Sequence, residues 1–260
     1  MEGVAGGQAL IMPEWLQAGG WGLLAGFALV LGALAGYTLR MPQRLIASVM
    51  AFGAGVLMSA VSYELIEEAH RRAGLAPAVV GAVSGAVLYT VCNVLLARRG
   101  ARHRKRSGDR HPSLQEGSGT AIALGAVLDG VPESLVIGAS LLGGGTVSMV
   151  TVAAVFISNV PEGLSSAAGM RRAGRTRTYV FGLWIGIAGV SGLSSLAGYA
   201  LLGQAPAAVL AGIIALAGGA ILTMIADTMI PEAFESSHLL TGLITLAGFL
   251  VAFAVSKAGG

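Results

Sequence analysis

Two short segments of this 260-residue sequence gather oxygen-bearing side chains around a proline. One reads Asp129-Gly130-Val131-Pro132-Glu133-Ser134. The other reads Ser158-Asn159-Val160-Pro161-Glu162-Gly163, in register with the first at an offset of 29 residues. A proline inside a helix removes one hydrogen bond and clashes with the carbonyl four residues back. Pro132 is therefore expected to free the carbonyl of Leu128, and Pro161 that of Ile157. Asp129 and Glu133 are four residues apart and share a helix face. Ser158, Asn159 and Glu162 also fall on or near one face. Brought together, the segments would offer Asp129, Glu133, Asn159, Glu162 and Ser158 to a metal ion, an oxygen-donor set with neither Cys nor His.

The elements that must position these residues are membrane helices. Hydrophobic residues make up 55% of the chain and charged residues only 11%, against about 25% charged in a soluble domain. Roughly 20 apolar residues span a bilayer, and eight segments qualify: about 15–39, 45–69, 75–97, 119–142, 146–170, 179–202, 206–233 and 238–256. The expectation is an all-α integral membrane protein of one domain, 1–260, with a basic loop at about 98–118. Forty glycines point to close helix crossings. The spacings Gly22/Gly26, Gly32/Gly36, Gly81/Gly85 and Gly182/Gly186 are of the kind that permit them. Met1 to Pro13 lacks the basic region of a signal peptide, so the first apolar span reads as a retained helix. Cys92 is the single cysteine, which excludes an internal disulfide.

Lys and Arg set the orientation. The loops after spans 1, 3 and 5 hold 13 of the 16 basic residues, seven of them between Arg98 and Arg110. These loops are expected in the cytoplasm, with both termini outside, in a multi-pass protein of the cell membrane. The positive-inside effect accounts for the basic loop without a nucleic-acid partner. His103 and His111 in that loop read as solvated side chains rather than metal ligands.

Nine of the thirteen acids lie in or at the ends of spans. Each costs about 2.5–3.5 kcal/mol to insert at the bilayer centre on translocon scales. They sit on four spans only: Glu64, Glu67 and Glu68 on the second, Asp129 and Glu133 on the fourth, Glu162 on the fifth, and Asp227, Glu232 and Glu235 on the seventh. These spans should turn their acidic faces inward, which gives an inner bundle of helices 2, 4, 5 and 7. The acids then form a file. Glu64, Glu67 and Glu68 gather cations at the outer mouth, Asp129, Glu133 and Glu162 bind at mid-membrane, and Asp227 and Glu232 serve release at the inner mouth. No Lys or Arg lies in any span, so a bound cation or protons should neutralise the central acids. Residues 51–69 also echo 215–233, at an offset of 164. In helices of opposite direction that is the mark of an inverted repeat, with a binding site at its midplane.

With these motifs in view, the sequence resembles the ZIP family of metal transporters over nearly its whole length. The family motif His-Asn-x-Pro-Glu-Gly of helix 4 is matched here by Asp129 to Ser134, and a similar helix 5 motif by Ser158 to Gly163. The resemblance implies eight spans, an inner bundle of helices 2, 4, 5 and 7, and metal ligands at Asp129, Glu133, Asn159 and Glu162. It also implies a homodimer and a sliding movement during transport. Asp129 and Ser158 stand where the family has histidine, and Gly130 where it has asparagine. Helix 6 offers Ser191, Ser194 and Ser195 but no acid, where many members place a glutamate for a second metal.

The function expected from these residues is transport of divalent metal, zinc or manganese, iron, cobalt or cadmium, into the cytoplasm. No enzymatic activity is expected, and no cofactor beyond the transported ion. No P-loop is present, so movement must follow a gradient or an exchange. The alternatives are a transporter of another cation or a small organic substrate, and an intramembrane hydrolase using an acid pair.

Overall fold

A computed structural model describes residues 12–101, 104–105, 107, 118–143 and 147–258. Among these residues the chain is all helix, with no strand. We number the helical rods α1 (Glu14–Thr38), α2 (Gln43–Ala73), α3 (Leu75–Leu96), α4 (Ser118–Ser140), α5 (Met149–Arg172), α6 (Arg177–Leu202), α7 (207–237) and α8 (Thr241–Ala258). Local chemistry sets their ends. The Ser148 hydroxyl accepts from Thr151 N (3.2 Å) to open α5, and Thr176 does the same from Tyr179 N (3.2 Å) for α6. Gly74, at φ +82°, lets α2 turn directly into α3. Rods α7 and α8 are separated at His238, the one non-glycine residue at positive φ among those described.

Six stretches among the described residues are long and apolar enough to cross a membrane: α1, α2, α3 with its following turn, α4, α6, and the run 207–258 that contains α7 and α8. Their outward faces are apolar. Rod α3, for example, exposes Val79, Val80, Val83, Val87 and Val91, a surface that lipid but not water would cover. The protein is membrane-embedded.

Rod α5 fails the same apolarity test, for a physical reason. From Ser158 to Met170 it is buried on nearly all sides, so its surroundings are other helices, and it can carry Ser158, Asn159, Glu162, Ser165 and Ser166 there. It packs against α1 and α2, and α2 and α4 both pack against α7.

Glycine makes several of these crossings. A Cβ at Gly32 would strike the Val160 carbonyl of α5, one at Gly36 the Leu164 carbonyl, and one at Gly163 the Leu29 carbonyl of α1. Gly22 and Gly26 sit on Ser195 and Ser191 of α6, and Gly81 and Gly85 on the backbone of α7. Gly182 and Gly186 are the exception. Nothing lies within 4 Å of a Cβ built at either, so that spacing is not a crossing. In a chain this rich in glycine the four-residue spacing arises without a packing role.

Rods α2 and α7 each widen into a π turn, Val61–Ile66 in one and Ile225–Met229 in the other. The two turns coincide at the 164-residue offset of the sequence echo.

Candidate cation site

The proline motifs lie within α4 and α5, at Pro132 and Pro161. Neighbours make room for them: a Cβ at Gly53 of α2 would press on the Pro161 ring. Asp129, Glu133 and Glu162 are 2%, 1% and 4% exposed, and Ser158 and Asn159 are equally buried. Glu133 lies within electrostatic reach of Glu162, Asp129 and Lys105, and its Oε1 is buried with no hydrogen-bond partner among the described residues.

The expectation that no side-chain cation neutralises these acids is overturned. Arg104 and Lys105, from the loop between α3 and α4, reach into the bundle and are each 4% exposed. The Arg104 guanidinium donates to Asp129 from Nη2 to Oδ1 (3.0 Å) and from Nε to Oδ2 (3.2 Å). It donates also to Asn93 Oδ1 (2.8 Å) and to the Tyr89 hydroxyl (3.0 Å) on α3. Tyr89 in turn donates to Asp129 Oδ1 (2.7 Å). The Lys105 ammonium bridges the two motifs, 2.9 Å from Glu162 Oε2 and 3.3 Å from Asp129 Oδ2. Burial alone pulls the Lys105 pKa down. The charges of Asp129 and Glu162 outweigh it and hold the group above the usual lysine value, so it stays charged. Positive residues collect in loops on one side of a membrane, where water solvates them. Two of this loop's charges are instead drawn inward, because a buried carboxylate without a counter-charge is far more costly than a buried pair.

The backbone of Arg104, Lys105 and Ser107 is bound as well as the side chains. Ser166 Oγ donates to the Arg104 carbonyl (2.9 Å), and Ser165 Oγ to the Lys105 carbonyl (2.7 Å). Ser107 donates to Glu232 Oε1 from both its backbone nitrogen and its hydroxyl, each at 2.7 Å, and Gln43 Nε2 donates to the Ser107 hydroxyl (3.0 Å). Ser165 Oγ also lies 3.0 Å from Glu232 Oε1. Glu232 is thus buried against the loop segment rather than open to solvent. His103 and His111 lie outside the described residues.

Other expected residues are placed differently. Asp227 is exposed on the π turn of α7, between the buried Ile225 and Met229, and does not join Glu232. The expectation that every span acid faces inward fails there, and at Glu67 and Glu235, which are also exposed. Asp227 stands two residues, about half a helical turn, from both Ile225 and Met229, which hold the buried side. Asn159 Nδ2 is committed to the Ala25 carbonyl of α1 (2.9 Å), which leaves its Oδ1 as the atom able to serve a cation. Ser158 donates to Val155 O (2.9 Å) within its own helix. Among the described residues no three His, Cys, Asp or Glu side chains form a ready metal-ion cluster. Asp129 and Glu162 are joined instead through Lys105.

At the opposite end of the bundle, Glu64 and Glu68 line a cavity of about 120 Å³ with Arg71, Arg72, Ser148 and Thr151. Glu64 accepts from Ser256 Oγ (2.6 Å), Glu68 pairs with both Arg71 and Arg72, and Glu67 is exposed. This mouth carries both signs of charge, rather than acids alone.

Sequence reasoning missed Tyr89, Asn93, Arg104, Lys105, Ser107, Ser165 and Ser166. Only the serine pair carried a signal: two adjacent hydroxyls follow the α5 proline motif at one helical turn. No protein-family model matches this chain, and no curated protein is similar to it.

Proposed function

We propose that this protein carries divalent metal cations across a membrane through Asp129, Glu133 and Glu162, with Asn159 Oδ1 and the backbone at the two prolines as further oxygen donors. The observation that supports this reading most is the burial of three carboxylates on two helices, each with a proline in its interior. Such groups are expensive in a membrane protein and mark ion pathways. Oxygen donors suit hard and borderline divalent ions. On this reading α5 is a span shielded by its neighbours, and α7 and α8 are separate spans meeting at His238, which makes eight. The matched π turns of α2 and α7 fit an inverted repeat about the site. The loop bearing Arg104 and Lys105 lies in the cytoplasm, the cavity at Glu64 and Glu68 opens outside, and movement is inward. The ZIP resemblance of the motifs points the same way.

One observation favours a different cargo. A primary ammonium, that of Lys105, already fits between Asp129 and Glu162, so a small organic amine would also match the site.

The test is uptake by vesicles reconstituted with the purified chain, over a panel of manganese, zinc, ferrous iron, cobalt, cadmium, magnesium and a labelled diamine. Glu133→Ala and Glu162→Ala should each reduce metal uptake to background while the protein remains inserted and monodisperse. Near-normal uptake by either variant would remove that residue from the site. Uptake of the amine but of no metal would decide for the organic cation.

A further inference from the structure

Five helices build a seat for three loop residues. Gln43 comes from α2, Tyr89 and Asn93 from α3, Asp129 from α4, Glu162, Ser165 and Ser166 from α5, and Glu232 from α7. Consecutive serines of α5 bind the two consecutive carbonyls of Arg104 and Lys105, which fixes the register of the segment to a single residue. Gly125 completes the seat: a Cβ there would overlap Cδ and Nε of Arg104. A solvated loop that merely brushed the helices would have neither the paired backbone recognition nor a groove shaped to the arginine stem.

The charges follow a simple accounting. Arg104 and Lys105 together carry two positive charges, the charge of one divalent cation. They place them on Asp129 and Glu162, two of the carboxylates through which the proposed cargo would pass. The ammonium stands between those carboxylates at hydrogen-bond distance from one and 3.3 Å from the other. A metal ion held by the same oxygens would occupy the same space. Buried like charges so close repel strongly, so ammonium and metal exclude each other.

From this geometry we infer that Arg104 and Lys105 are a tethered counter-cation. They neutralise Asp129 and Glu162 in the ion-free protein and must withdraw when a divalent cation takes those carboxylates. The inference rests on the transport reading above. Exchange of the two loop charges for one divalent ion leaves the charge of the buried site unchanged, whereas a monovalent ion would leave one carboxylate unpaired. The same withdrawal would break the Ser107–Glu232 contact, so ion binding is coupled to the exposure of position 107. The apparent affinity for metal is then lowered by the fraction of molecules in which the segment is seated.

The test uses the purified full chain carrying Cys92→Ser and Ser107→Cys, with manganese(II) alone as the probe and maleimide labelling at position 107 as the readout. Manganese should speed labelling at least tenfold. Lys105→Met should speed labelling without manganese and tighten manganese binding at least tenfold. Gly125→Ala alters no charge but displaces Arg104, and should shift both readouts in the same direction. It keeps the test decisive if Lys105→Met fails to fold. Manganese binding with unchanged labelling at position 107, or no tightening in either variant, overturns the competition and leaves the transport reading standing. Absence of manganese binding in every variant overturns the competition, and absence of uptake for every metal of the panel overturns the transport reading with it.

Discussion

The two ends of the bundle each hold acids beside arginines, yet the pairs are of different kinds. At the loop end, the side chains of Arg104 and Asp129 are 4% and 1% exposed and share their hydrogen bonds with Tyr89, Asn93 and Lys105. At the other end, Arg71 and Arg72 are 65% and 23% exposed against a Glu68 at 27%. The first network is dry, so loss of one partner strands a charge in a low-dielectric interior. The second is wet, and water replaces whatever is removed. The same residue types therefore form a dry, interlocked network at one end and a solvent-screened one at the other.

The sharpest break in this comparison is Asp129→Ala. It strands Arg104 and leaves Lys105 with Glu162 alone. Removing one member of a buried pair typically destabilises by about 3–5 kcal/mol, so a large fall in midpoint is expected on thermal unfolding in detergent, and Glu68→Ala should lose no more than about 1 kcal/mol. Equal losses would show that burial does not separate the two ends.

Next in size is a packing change between them. Gly163→Ala forces a methyl into the α1 backbone at Leu29 and should destabilise by about 1–3 kcal/mol, as overpacking does. Gly182→Ala on α6 meets none of the described residues and should leave the midpoint unchanged or slightly raised, since alanine favours the helix. A matching loss at Gly182 would place an unseen partner on that face.

The smallest effect belongs to the wet end. Glu64→Gln with Glu68→Gln should raise the apparent KM for manganese uptake about two- to threefold at low salt. The effect should fade near 1 M salt, where the Debye length is about 3 Å. A salt-independent defect would instead mean direct contact between these acids and the ion.

Some of this was legible from local patterns. Apolar length gives helices, and the membrane character follows from their composition. The Pro-Glu motifs mark Glu133 and Glu162 because an acid beside an interior proline in an apolar run has two separate costs that a folding rationale alone does not explain. Glu232, expected only as an acid at the end of its span, is buried too. Asp227 is not: it stands about half a turn from Ile225 and Met229, and which side of the helix faces inward is decided by packing, which local periodicity cannot see. Nor can spacing distinguish Gly32/Gly36, pressed against α5, from Gly182/Gly186, facing open space.

What the sequence by itself determined is the class of molecule and the acids in its interior: helices in a membrane, with Asp129, Glu133 and Glu162 too costly to bury without reason. What only the tertiary structure decided is how those acids are neutralised. Arg104 is 25 residues from Asp129 along the chain, and the carbonyls of Arg104 and Lys105 are bound by serines 62 and 60 residues away. Residue statistics assign loop charges to water, because most loop charges are solvated. Here the desolvation of two cations is offset by carboxylates and serines from several helices at once, and a balance among groups that distant in sequence exists only after the bundle has assembled.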